Sequence, residues 1–149
     1  MVNLSAFIAF HARQRPEHPA IIYGDEWVSY HDFDQRIRRL ASLLIQRGIG
    51  ENDVVAVFMK NSPAFLEVAF AASHVGAVFL PVNFRLAAHE LTHILTDAGA
   101  KLLFIDEELA STCQLDQDVV VVDAMAQHDS RCLSSSDWPL PEAVPRRSD

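Results

Sequence analysis

The chain has 149 residues, half of them hydrophobic and about a fifth charged, with twelve Lys and Arg against twenty Asp and Glu for a net charge of -8. A soluble chain of this length buries roughly 68–70 % of the surface its unfolded form exposes, so a real core is expected. The acidic balance argues against a nucleic-acid or anionic-membrane surface, and two cysteines are too few for a disulfide framework.

The N-terminal segment Met1-Val2-Asn3-Leu4-Ser5 lacks a basic leader region, and no apolar stretch approaches the ~20 residues that span a bilayer. A cytoplasmic protein with reduced thiols at Cys113 and Cys132 is expected. Leu4, Phe7, Ile8 and His11 then mark the packed face of a short amphipathic helix. Ile21-Ile22-Tyr23 and Trp27-Val28 flank Gly24-Asp25-Glu26 as a small hairpin.

A capping signal at Ser29-Tyr30-His31-Asp32 opens the next helix. Phe33, Ile37, Leu40, Ala41 and Leu44 recur at three- and four-residue spacing, with Arg38, Arg39, Ser42 and Gln46 on the wet side. Gly48 ends it, and the continuous apolar run 54–59 reads as a strand covered on both faces. Ser62-Pro63 supplies an N-cap and a first-turn proline for a helix over 64–75 that is apolar almost all round and therefore deeply buried. Gly76 closes it before a strand at Val78-Phe79-Leu80. A third helix over about 87–98 stops at Gly99 before a strand over 102–105, and 119–122 is a further strand. This alternation predicts an α/β fold, layered, with a mostly parallel sheet, flanking helices and right-handed crossovers, plus the small N-terminal hairpin. Residues 1–133 form the α/β unit, and 134–149, rich in Ser and Pro, form a linker in which the chain stops.

The sharpest formal motif is His89-Glu90-Leu91-Thr92-His93, the HExxH pattern of zinc peptidases. Its helix has an apolar face of Leu91, Ile94, Leu95 and Ala98, and both histidines point away from it. The extended motif needs glycine at position 96 and histidine at 99, where Thr96 and Gly99 stand. Asp106-Glu107-Glu108 could offer a third ligand, but its place after a strand does not suggest one. A solvated helix face is the expectation, with no metal site, no GxGxxG and no GxxxxGK[ST]. No catalytic residue is assigned. Ligands of open α/β sheets bind beyond the carboxyl ends of the strands, where Lys60-Asn61-Ser62-Pro63 and Pro81-Val82-Asn83-Phe84-Arg85 lie. Arg85 is a fixed cation suited to a phosphate or carboxylate there; the plainer expectation is an ion pair with Glu90.

An ordered set of residues then carries a resemblance. Trp27-Val28-Ser29-Tyr30, Phe33, Leu40-Ala41, Leu44, Gly48 and Asp53-Val54-Val55-Ala56-Val57 begin it. Asn61-Ser62, Phe65-Leu66, Ala69, Gly76-Ala77-Val78, Pro81-Val82-Asn83, Arg85-Leu86, Glu90-Leu91, Ile94-Leu95 and Ala98-Gly99-Ala100-Lys101 continue it. With this spacing the chain resembles the opening of the adenylate-forming (AMP-binding) superfamily, nearest in flavour to acyl-CoA synthetases of the fatty-acid–CoA ligase type. The resemblance implies the N-terminal part of the large domain of an enzyme that turns a carboxylic acid and ATP into an acyl-adenylate and then an acyl-CoA. It implies ATP, Mg and coenzyme A for the whole enzyme and none bound by this fragment, whose main partner is the remainder of its own polypeptide. It also implies that Arg85 lies near the nucleotide phosphates of coenzyme A. The family's phosphate loop follows a Pro-rich linker, so the chain is expected to stop short of it and to be inactive alone. Two rival readings are a stand-alone interaction or homo-oligomerisation module and a zinc enzyme.

Overall fold

The computed structural model describes residues 3–113, 115 and 118–122. The expected boundary at 133, the linker over 134–149 and Cys132 lie outside the described residues. The elements are α1 (Ser5–Gln14), β1 (Pro19–Tyr23), β2 (Glu26–Ser29), α2 (Tyr30–Gln46), β3 (Val54–Phe58), α3 (Pro63–Val75), β4 (Val78–Pro81), α4 (Ala88–Ala98), β5 (Ala100–Asp106), α5 (Glu107–Ala110) and β6 (Asp118–Val122).

The apolar runs form a parallel four-stranded sheet in the order β4-β3-β5-β6. β3 is central, pairing Val57 with Pro81 of β4 on one side and with Phe104 of β5 on the other. Alternation along each strand splits the core into two layers. Val55, Val57, Leu102, Phe104 and Val122 pack against α2 and α3, whereas Ala56, Phe58, Leu103 and Ile105 pack against Leu91 and Leu95 of α4. The crossover β3-α3-β4 runs one way on one face, and β4-α4-β5 runs back on the other. Reversing direction and face together keeps both crossovers of one hand.

The helix boundaries follow their sequence signals. The Ser29 hydroxyl accepts the Asp32 N–H at 3.1 Å, and the Ser62 hydroxyl accepts that of Phe65 at 3.4 Å. Gly76 and Gly99 adopt φ of +79° and +65°, and their N–H groups return to carbonyls of the last helical turn. The hairpin is one residue tighter than expected: Tyr23 pairs with Glu26, leaving Gly24-Asp25 as the loop.

Three local expectations are corrected, and one short helix is added. In α1 Ile8 packs against the core as expected, but the buried residues are Ser5 and Ala9, while Leu4, Phe7 and Phe10 stay about half exposed. Polar anchors set that rotation: Ser5 Oγ lies 2.7 Å from His74 Nδ1, and Leu4 N–H donates to Ser73 Oγ at 3.0 Å. Ser42 is buried, because α2 packs against both α1 and α3 and so hides a wider arc than one stripe. In α3 burial is not uniform, since Leu66 faces out while Glu67 is enclosed. The short helix α5 had no periodic signal and continues the acidic end of β5.

Candidate functional site

In this strand order the chain turns back between β3 and β5, which makes their carboxyl ends the topological switch point of the sheet. Three segments gather at this edge: Lys60-Asn61-Ser62 after β3, Asp106-Glu107-Glu108 at the end of β5, and Asn83-Phe84-Arg85 after β4. The switch point is closed by its own side chains. Asp106, 2 % exposed, accepts the Lys60 backbone N–H on Oδ2 at 2.8 Å, tying the two strand ends together. Its Oδ1 is buried with no hydrogen-bond partner among the described residues. Burial pushes the Asp106 carboxyl above the ordinary carboxylate range; the Lys60 N–H opposes that shift and Glu108 adds to it. The Lys60 ammonium pairs with the Glu108 carboxylate at the surface, and that contact raises the lysine.

Arg85 stands one strand further out. The Asn83 side chain accepts the Arg85 N–H at 3.0 Å, which folds the turn that presents it. Its guanidinium lies over the Phe84 ring, 5.4 Å from the centroid. The expected Arg85–Glu90 pair does not form, because Glu90 turns back to accept the Ala87 N–H at 3.2 Å and caps α4. Among the described residues no carboxylate pairs with Arg85, so an exposed cation faces solvent at the ligand edge.

The HExxH residues do not assemble a catalytic centre. His89, Glu90 and His93 are all exposed, and Glu90 is engaged as a cap. Among the described residues no group of three or more His, Cys, Asp or Glu is gathered as a metal site. Nor do the residues at this edge fit the phosphates of ATP with magnesium. A phosphate cradle needs backbone N–H groups in a glycine-rich loop, whereas Gly24, Gly48, Gly76 and Gly99 serve a hairpin and three helix ends. The carboxyl end of β5 is acidic instead.

Sequence reasoning missed one buried pair. Arg36 of α2 donates from Nη1 to Glu67 Oε1 of α3 at 3.2 Å, with side chains 16 % and 7 % exposed. Burial pushes the Glu67 carboxyl up and Arg36 opposes it. A lone acid on an otherwise apolar helix was the available signal. Beside the pair, Ile21, Tyr23, Glu26, Trp27, Val28, Arg36 and Pro63 line a cavity of about 90 Å³. That is well below the roughly 300–1,000 Å³ of small-molecule sites, so it is no substrate pocket.

Comparison with known proteins shows where such a layer occurs. A family model described as "AMP-binding enzyme" matches residues 8–149. Feruloyl-CoA synthase of an Amycolatopsis species is 42 % identical over 101 residues, 68 % of this chain and 21 % of that protein. The fatty acid–[acyl-carrier-protein] ligase ScoC of Streptomyces coeruleorubidus is 36 % identical over 100 residues, 67 % of this chain and 19 % of that protein. A solved fatty acyl CoA synthetase of Mycobacterium tuberculosis superposes with a TM-score of 0.78 at 28 % identity, over 94 % of this chain and 30 % of that one. The chain thus spans about a fifth of the length of the curated relatives it matches. Among the described residues no helix is long and apolar enough to cross a membrane.

Proposed function

We propose, since this chain belongs to the AMP-binding enzyme family, that it is the N-terminal scaffold of an ATP-dependent acid–thiol ligase and is inactive alone. In that reaction a carboxylate oxygen attacks the α-phosphorus of ATP and pyrophosphate leaves. The thiol of coenzyme A then attacks the acyl carbon and AMP departs. The first step is needed because a carboxylate is a poor electrophile, and adenylation gives it a good leaving group. The work is alignment and charge stabilisation on the transferring phosphorus. Feruloyl and fatty-acid ligases among the relatives support an aromatic or fatty acid as substrate. A cytoplasmic location belongs to the same proposal, as does a linker beginning at residue 134.

One observation carries this reading: the family match runs over 8–149, yet the chain spans only about a fifth of its relatives. ATP–pyrophosphate exchange tests it. The whole polypeptide should exchange with an aromatic or fatty acid, and the 149-residue chain should not; robust exchange by this chain alone would refute the scaffold role.

Arg85 is the residue on which cofactor contact would fall, as an exposed guanidinium without a carboxylate partner among the described residues. A coenzyme A phosphate is an anion it could hold. Arg85→Ala in the whole enzyme should raise the KM for coenzyme A several-fold and leave exchange unchanged, because exchange precedes the thiol. An unchanged KM would remove Arg85 from the site.

The half-exposed stripe of Leu4, Phe7 and Phe10 favours a second reading, a self-association module. Light scattering that finds only monomer at high concentration would exclude it.

A further inference from the structure

His89 and His93 are left without work by the ligase reading. They stand four residues apart on α4, a regular helix of 11 residues, and both are exposed. Neither imidazole makes a hydrogen bond, ion pair or ring contact among the described residues. Leu91 and Leu95, both 0 % exposed, lock the rotation of this helix against the sheet. At 100° per residue that anchoring sends positions 89 and 93 outward together. Residues at i and i+4 have Cβ atoms about 5–6 Å apart, a span that one metal ion can close with a Zn–N bond of roughly 2.0–2.1 Å to each ring. Glu90 stands between them in sequence, but its carboxylate is held by the Ala87 N–H and is not free to activate water.

We propose that His89 and His93 form a two-histidine surface chelate for a borderline divalent cation such as Zn²⁺, Ni²⁺ or Cu²⁺, with water filling the other positions. Imidazole selects these metals, whereas Mg²⁺ demands oxygen ligands. The chelate bridges one turn of α4, whose helical spacing holds the two rings together, so it binds the folded state more tightly than the unfolded chain and stabilises by mass action. It performs no hydrolysis, since the base is committed to the cap and no third ligand stands by among the described residues.

The test is calorimetric titration of zinc chloride into the protein, its His89→Ala and His93→Ala variants and the double variant. One ion per chain should bind the unaltered protein. Removing a group that merely orients a metal ligand costs about 10–100-fold in affinity, so each single variant should lose about tenfold or more. The double variant should then lose much less on top of either single than that single lost, since one imidazole alone is only a monodentate ligand. Magnesium chloride should give no binding. Both positions are exposed, so circular dichroism should be unaltered in the variants. Imidazole proton resonances of the unaltered protein give a check independent of any variant: zinc should move those of His89 and His93 together. Equal affinity in the variants, or resonance shifts confined to other histidines, overturns the proposal.

Discussion

The Arg36–Glu67 pair gives the most demanding stability prediction, because its two halves should fail differently. Glu67 is almost wholly enclosed, Arg36 reaches solvent slightly, and a single hydrogen bond of 3.2 Å joins them. Removing one partner of a buried pair costs about 3–5 kcal/mol; the partial exposure of Arg36 puts Glu67→Ala at the low end, about 3 kcal/mol. At roughly 2–4 °C per kcal/mol for a domain of this size, Tm should fall by about 6–12 °C. Arg36→Ala leaves a carboxyl that can take a proton. Burial already holds Glu67 above its ordinary range, and loss of Arg36 raises it further. A raised acid contributes stability that is full below the unfolded carboxylate pKa and is lost as pH rises through the folded one. Arg36→Ala should therefore be mild at pH 5 and severe at pH 8. Replacing both residues, as Arg36→Met with Glu67→Leu, should return stability to within about 1 kcal/mol of the parent. Urea unfolding at the two pH values reads all three. Equal costs for both single variants at both pH values, or a double variant no better than Glu67→Ala, would refute the reasoning.

Three further substitutions test the ends of the sheet. Gly99→Ala meets nothing within 4 Å among the described residues, so its cost is backbone strain at φ +65°, about 1–2 kcal/mol by urea unfolding. Gly50→Ala, free of a positive φ and 3.9 Å from Asp53 Oδ2, should stay within about 0.5 kcal/mol. Asp106→Ala strands the Lys60 N–H and should cost about 1–3 kcal/mol in acid, below the unfolded carboxylate range. Because burial raises the Asp106 carboxyl, the parent loses stability as pH rises from the unfolded value through the folded one and the variant does not, so this cost should shrink toward neutral pH. A cost that grows with pH would contradict it.

The elements legible in the sequence are those fixed by neighbouring residues. Ser29 and Ser62 cap through N–H groups three residues on, Gly76 and Gly99 stop helices by their own φ, and residues 55–58 and 102–105 are apolar because both sheet faces are covered. The failures needed partners far along the chain. The rotation of α1 is set by bonds spanning 69 residues, and the Asp106–Lys60 link spans 46. Arg85 and Glu90 are opposite charges close in sequence, yet Glu90 takes the N–H three residues back, which orders fewer rotatable bonds than reaching for a guanidinium. HExxH was legible as a solvent-facing match, because Leu91 and Leu95 at helical spacing already set the buried side of α4.

The two ends of the sheet explain why family was easier to read than site. At the amino end, the Lys101 ammonium donates to the Gly48 carbonyl at 2.7 Å and to Asp53 Oδ2 at 3.3 Å, while Asp53 accepts the Gly50 N–H at 2.8 Å. That N–H, helped by Lys101, holds the Asp53 carboxyl below its ordinary range. Gly48, Asp53 and Lys101 belong to the ordered pattern that carried the resemblance, and each clamps the turn entering β3 to the start of β5. They identify the fold because they build it. At the carboxyl end the same economy works against a ligand: Asp106 and Glu108 spend Lys60 on joining β3 to β5. Among the described residues, what is left facing outward there as an unpaired cation is Arg85, braced by Asn83 and Phe84. One exposed charge can meet an anion but cannot align two reactants, which requires groups converging from several directions. Under the scaffold reading proposed above, such converging groups come from other parts of a longer polypeptide.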